Sequence, residues 1–147
     1  MSDPGVAVVR AQVGRAFPGG EFVVEPWLAW LFADAALAEP GGEVAHPVLA
    51  WTAATQAMGV GWDEFFAWFD ACAEDGPLFG EHETVLHEPM RVGGTYMVSG
   101  CVTSADRKTG RSAGTFDIVD YRLAVHDKES GRHVADCWNS IIFPRRN

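Results

Sequence analysis

The sequence predicts an α+β fold in which a strongly curved antiparallel sheet wraps around one buried central helix. Two observations lead there. Residues 96–107, 114–127 and 133–143 read as three long extended runs joined by short polar turns, and a strand at His82-Glu83-Thr84-Val85-Leu86 precedes them. At ~3.3 Å per residue each long run spans roughly 35–45 Å, well beyond a common strand of about 5–6 residues. A meander that long curves, and a curved sheet needs something to enclose. Residues 48–58 supply it. They are apolar nearly all round, broken only by Thr52, Thr55 and Gln56, and small at Ala50, Ala53, Ala54 and Ala57. A helix apolar on every side is a buried helix.

The remaining elements follow in order. Residues 1–20 read as irregular, with a turn at Phe17-Pro18-Gly19-Gly20, and residues 21–24 as a short extended piece. A helix starts near Glu25-Pro26, since proline is favoured in a first turn. Its apolar face carries Trp27, Trp30, Leu31 and Ala35, widened by Leu28, Phe32 and Ala36, and Pro40-Gly41-Gly42 stops it. Pro47 opens the buried helix and Gly59-Val60-Gly61 closes it. Residues 62–73 form a further helical piece with Phe65, Phe66, Trp68 and Phe69 on a broad apolar face. In the sheet, Val119, Tyr121, Leu123 and Val125 alternate with Asp120, Arg122 and His126, so one face is buried. The hairpin connections are Lys108-Thr109-Gly110-Arg111 and Lys128-Glu129-Ser130-Gly131.

A length of 147 residues fits one domain, residues 1–147, with a core that needs no staples. An apolar content of 48% with six tryptophans excludes a disordered chain. Cys72, Cys101 and Cys137 are odd in number and form no CxxC, which points to reduced thiols and a cytoplasmic protein. The N-terminus has no signal-peptide pattern, and no run approaches the roughly 20 apolar residues of a membrane span. A net charge of −9 argues against nucleic acid as a partner. Arg107, Lys108 and Arg111, and separately Arg145-Arg146, offset that field locally.

Four segments carry a family resemblance. They are residues 29–36 as the first helix, Ala45-His46-Pro47 before the buried helix, residues 82–94 (HETVLHEPMRVGG), and residues 127–134 as the final hairpin. In that order they resemble the MaoC-like acyl dehydratase and (R)-enoyl-CoA hydratase family of hot-dog proteins, over about residues 13–144. The resemblance implies a hot-dog fold and an acyl thioester substrate, on coenzyme A or an acyl carrier protein, with no cofactor. Catalytic members carry an Asp-x-Asn-Pro-x-His-like loop after the first helix. Here residues 37–47 (LAEPGGEVAHP) contain no such loop. That departure resembles the non-catalytic half of two-component hydratases, in which the lost loop leaves room for a long or bulky acyl chain. It implies a second hot-dog subunit as partner, or a homodimer as the alternative.

Individual residues are weighed on that basis. His46 is a catalytic candidate with Glu43 or Asp34, yet neither acid has the family's position, and capping the buried helix is the simpler role. Trp51, with Trp27 and Trp30, would line an acyl tunnel or serve as core. Arg91, Arg107 and Lys108 are candidates for the coenzyme A phosphates. His82, His87, His126 and His133 are scattered without ligand spacing, so no metal site is expected. A homodimeric thioesterase is the competing enzyme, although residues 48–58 lack the carboxylate that activates water there. A module that only binds acyl thioester is a third reading, and the cone-shaped fold of small cyclases and isomerases is the competing architecture.

Overall fold

Three consecutive hairpin-connected strands dominate the computed structural model, which describes residues 4–145. They are β3 (Thr95–Gly110), β4 (Gly114–Asp127) and β5 (His133–Arg145). Two shorter strands, β1 (Gly20–Val23) and β2 (Leu78–Leu86), complete an antiparallel sheet of order β1-β3-β4-β5-β2. The long strands match the extended runs read from the sequence, with one correction. Lys108, Thr109 and Gly110 remain in the ladder, paired with Phe116, Thr115 and Gly114, so the turn is residues 111–113. Gly114 supplies the left-handed conformation that such a tight reversal requires (φ +66°).

The central helix α3 (Val48–Gln56) lies against the inner face of this sheet. Leu49, Ala50, Ala53 and Ala54 are fully buried, and so nearly is Thr52, whose Oγ donates to the Val48 carbonyl at 3.4 Å. Val119, Tyr121, Leu123 and Val125 of β4 face it, as their alternation predicts. The chain leaves α3 at Gly59 (φ +87°), where a Cβ would sit 2.5 Å from the Gly19 carbonyl oxygen. Only glycine fits there.

Two helical expectations change. Residues 4–10, read as irregular, form a helix α1 (Pro4–Arg10). Its valines disfavour an isolated helix, but Val9 is fully buried and Arg10 Nη2 reaches Asp106 Oδ1 at 2.7 Å. Tertiary packing overrides propensity. Helix α2 (Pro26–Ala35) starts where the proline predicts, yet it turns Ala29 and Ala33 inward and leaves Trp27 and Trp30 62% and 48% exposed. The expected aromatic core face is therefore an exposed one, because the smaller face allows closer approach to the body of the protein. Helix α4 (Trp62–Ala67) is shorter than expected. It ends in a turn at Asp70 (φ +52°), and a short 3-10 helix, Ala73–Asp75, follows. No helix among the described residues is long and apolar enough to cross a membrane.

The far end of the sheet is fixed by a buried carboxylate. Asp117, on the inner face and fully buried, accepts from Arg107 (Nε 2.8 Å, Nη2 3.1 Å) and from Arg145 (Nε 2.6 Å). Arg145 also donates to the carbonyls of Asp70 and Phe69, which ties β5 to the end of α4. Removing one member of a buried ion pair strands the others. Asp117→Ala is expected to lower unfolding stability by about 3–5 kcal/mol, measured by urea denaturation.

Candidate functional site

On the inner face, the β2 edge of the sheet carries a polar network beside α3. In β2, His82 and Thr84 lie two residues apart and so share a face. His82 Nδ1 is 2.8 Å from Asn139 Oδ1, and its Nε2 is 2.7 Å from Thr84 Oγ1. The Asn139 amide nitrogen donates to the Cys137 carbonyl at 3.4 Å. Its oxygen therefore faces His82 Nδ1, and that ring nitrogen donates to it. Thr84 continues to the Cys137 thiol at 3.6 Å, and that thiol lies 3.7 Å from the Ala50 carbonyl of α3. Burial pushes the Cys137 thiol up, outweighing the Thr84 contact, so it stays protonated at neutral pH. An imidazole held between an amide oxygen and a hydroxyl is a type of side chain that general acid–base chemistry uses.

Aromatic surface adjoins this network. Trp51 of α3 packs edge-on against His82 (5.8 Å) and Phe79 (6.3 Å), and Trp62 meets Phe79 at 5.8 Å. Behind Phe79 an apolar cleft of about 300 Å³ runs between α4 and β2, lined by Trp62, Phe66, Pro77, Leu78, Phe79 and Ile141. The outer rim of β2 is unpaired. Leu78 and Phe79 are more than half exposed on it.

The residues singled out from the sequence divide between this site and elsewhere. Trp51 is in it. His46 instead caps α3, its Nδ1 accepting from the Val48 N–H at 3.2 Å. Glu43 and Asp34 are exposed, and no hydrogen bond or ion pair joins either to His46 among the described residues. Arg107 is engaged by Asp117, and Lys108 is exposed beside it near the end of β3. Arg91 precedes the start of β3, where its backbone N–H donates to the Tyr96 hydroxyl at 2.7 Å. From Thr95 to Arg107 is about 40 Å of strand, so Arg91 and the Arg107–Lys108 pair do not converge on one phosphate. His82 carried a signal that sequence reading missed: the alternation that puts His82 and Thr84 on one face also aims them at the buried helix.

No family model matches the sequence, and no curated protein matches it. Solved structures do. A chain of the HadBC (3R-hydroxyacyl-ACP dehydratase) complex of Mycobacterium tuberculosis superposes with a TM-score of 0.66 at 18% identity, over 86% of this chain and 92% of that one. A chain of the ChsH1-ChsH2 complex of the same organism gives 0.69 at 15% identity, over 97% and 91%. The MaoC-like dehydratase of Rhodospirillum rubrum gives 0.60 at 17%, over 92% and 94%. The chain has the hot-dog fold. Identities this low establish the architecture, and they leave activity to the residues of the site.

The outer face of the hot-dog sheet holds a second polar cluster that the sequence does not announce. His87 and His133, which read as scattered, converge there on Asp136, and His126 stacks on the His133 ring. Asp136 Oδ2 lies 3.0 Å from His87 Nε2, while Oδ1 lies 3.0 Å from His133 Nε2 and accepts from Arg122 Nε at 2.8 Å. Partial burial works to raise the Asp136 carboxyl, but these partners outweigh it and hold the group below the ordinary carboxylate value. A depressed folded-state value stabilises the protein above the unfolded value of about 3.9 and loses that contribution as pH falls through the folded one. Urea midpoints are accordingly expected to drop on acidification below about pH 4. Asp136→Asn, less stable at neutral pH by roughly 1–3 kcal/mol, is expected to show a flatter acid limb.

Proposed function

We propose that this chain is the non-catalytic, acyl-binding subunit of a heteromeric (R)-specific enoyl-CoA hydratase or 3-hydroxyacyl dehydratase that handles long or bulky acyl thioesters. One observation carries the reading. The segment between α2 and α3 holds no acid–base pair: His46 is committed to the α3 backbone, while Glu43 and Asp34 stand apart from it in solvent. Hydration of an enoyl thioester needs a general acid and base within reach of one water, and in this reading the partner chain supplies them. The contribution here is binding. Trp51, Phe79 and the cleft between α4 and β2 offer apolar walls for an acyl chain carried by coenzyme A or an acyl carrier protein.

The unpaired rim of β2 supports the second subunit. A nine-residue edge strand with exposed Leu78, Phe79 and Val85 is an open template for another strand. Two of the similar structures are complexes named for two components, HadBC and ChsH1-ChsH2. A hot-dog partner that continues the sheet would cover this edge, and a second copy of the chain is the alternative occupant. Three free thiols, Cys72, Cys101 and Cys137, accord with a cytoplasmic location.

A second reading rests on the His82–Thr84 contact of 2.7 Å, a hydroxyl–imidazole pair beside an apolar wall. It would make the chain a homodimeric thioesterase, and a fluoroacetyl-CoA thioesterase, FlK, is among the similar structures (TM-score 0.59, 17% identity). No carboxylate lies on α3 to assist, which places this reading second.

The purified chain alone is expected to leave the enoyl absorbance of short and bulky trans-2-enoyl-CoA unchanged and to release no free thiol from acyl-CoA. Hydration lost in His46→Ala would overturn the partner reading and restore catalysis to the shortened loop. Thiol release lost in His82→Ala would replace it with the thioesterase. The edge makes its own prediction: the doubly charged variant Leu78→Glu, Val85→Lys is expected to sediment as a folded monomer where the parent chain associates.

A further inference from the structure

We propose that His87, His133 and Asp136 form a binding site for a divalent transition-metal ion on the outer face of the sheet. The three residues come from two strand ends. His87 follows β2 directly, and His133 and Asp136 lie in the first turn-proximal residues of β5. Leu86 pairs with Ala135, which brings the end of β2 beside the start of β5. A shift in register between Val125 and His126 then sets His126 opposite His133. Their rings stack at 4.8 Å and 17°, so one side of the His133 imidazole is held in place.

The donor atoms are already close. One ring nitrogen of His87, one of His133 and an Asp136 carboxylate oxygen all lie within 4.8 Å of one another. Ligands of a tetrahedral zinc site, each about 2.0–2.2 Å from the ion, sit roughly 3.3 Å apart. Small side-chain rotations of two partly exposed histidines close that difference. Two imidazoles and one carboxylate favour zinc, cobalt or nickel over magnesium and calcium, which prefer all-oxygen shells. Three protein ligands leave at least one position open to water or another small ligand.

Arg122 shapes the site. It bonds Oδ1 of Asp136 and stacks over Trp138 at 5.4 Å, so it orients the carboxylate while Oδ2 faces His87. An outer partner that fixes a ligand in this manner is the usual second layer of a metal site. Its positive charge opposes the ion, which makes the site weaker than a thiolate-bearing structural zinc. The chain's net charge of −9 acts in the other direction. None of these residues belongs to the inner-face site, so the inference stands apart from the proposed activity.

The test uses untagged full-length chain stripped with a chelator. Zinc titration followed by calorimetry, with visible absorption of the cobalt form as a second readout, is expected to show one ion per chain. His87→Ala and His133→Ala, with folding checked by circular dichroism, are each expected to weaken binding more than about tenfold, the least that loss of even an outer-shell partner costs. His46→Ala, whose imidazole is engaged by the Val48 N–H and not by Asp136, is expected to bind as the parent does. Absence of stoichiometric zinc binding overturns the proposal, as does binding that either histidine substitution leaves intact.

Discussion

Ala50, Ala53 and Ala54 end at Cβ, so the backbone of α3 can lie close to the sheet, and the sheet can curve far enough for α3 to touch all five strands. That constraint governs the architecture. A larger side chain at any of these buried positions would push the helix off the inner face and open the curve. The same tightness continues past the helix end, where Gly59 and Gly19 meet backbone to backbone. It also brings the Ala50 carbonyl near the Cys137 thiol, linking the helix to the polar network around His82. The candidate site is thus a by-product of close packing: where the inner layer reaches the edge strand, apolar cover runs out and polar groups take over.

Two carboxylates mark opposite ends and opposite faces of the paired strands β4 and β5. Asp117 faces inward and binds two arginines, closing the far end of the core against the turn after α4. Asp136 faces outward and gathers one arginine and two histidines. The first is sealed from solvent and answers to packing. The second sits under partly exposed imidazoles and can respond to what the solvent contains.

Much of the fold was legible because strand length and strand alternation are local signals. The runs containing Val119, Tyr121, Leu123 and Val125 state their facing directly, and the alanine-rich segment states its burial. The sequence resemblance carried the hot-dog architecture through the same segments. What stayed hidden depended on distant partners. Val9 makes α1 a helix only because β3 is there to pack it, and Trp27 and Trp30 point outward because Ala29 and Ala33 give the closer contact. The histidines show the limit most clearly. His87 and Asp136 are 49 residues apart, and their meeting follows from a register and a bulge that no spacing rule encodes. That residues 37–47 lack the Asp-x-Asn-Pro-x-His pattern, by contrast, was readable at once, because a missing motif needs no geometry.

The placement of β2 also sets the order in which the chain can acquire structure. β3, β4 and β5 follow one another through short turns and can zip together locally, whereas β2 must pair with β5 across the whole intervening meander. Contacts of such long sequence separation close slowly. On a ribosome β2 emerges before β5, its ladder partner, has been synthesised, with both of its edges open. Once β5 arrives one edge is satisfied, but the other still bears Leu78 and Phe79 toward water. A stretch that stays exposed in the finished chain is therefore also one that waits for its partner during synthesis. A nascent copy is open to wrong pairing there, and a chaperone would have an apolar edge to shield.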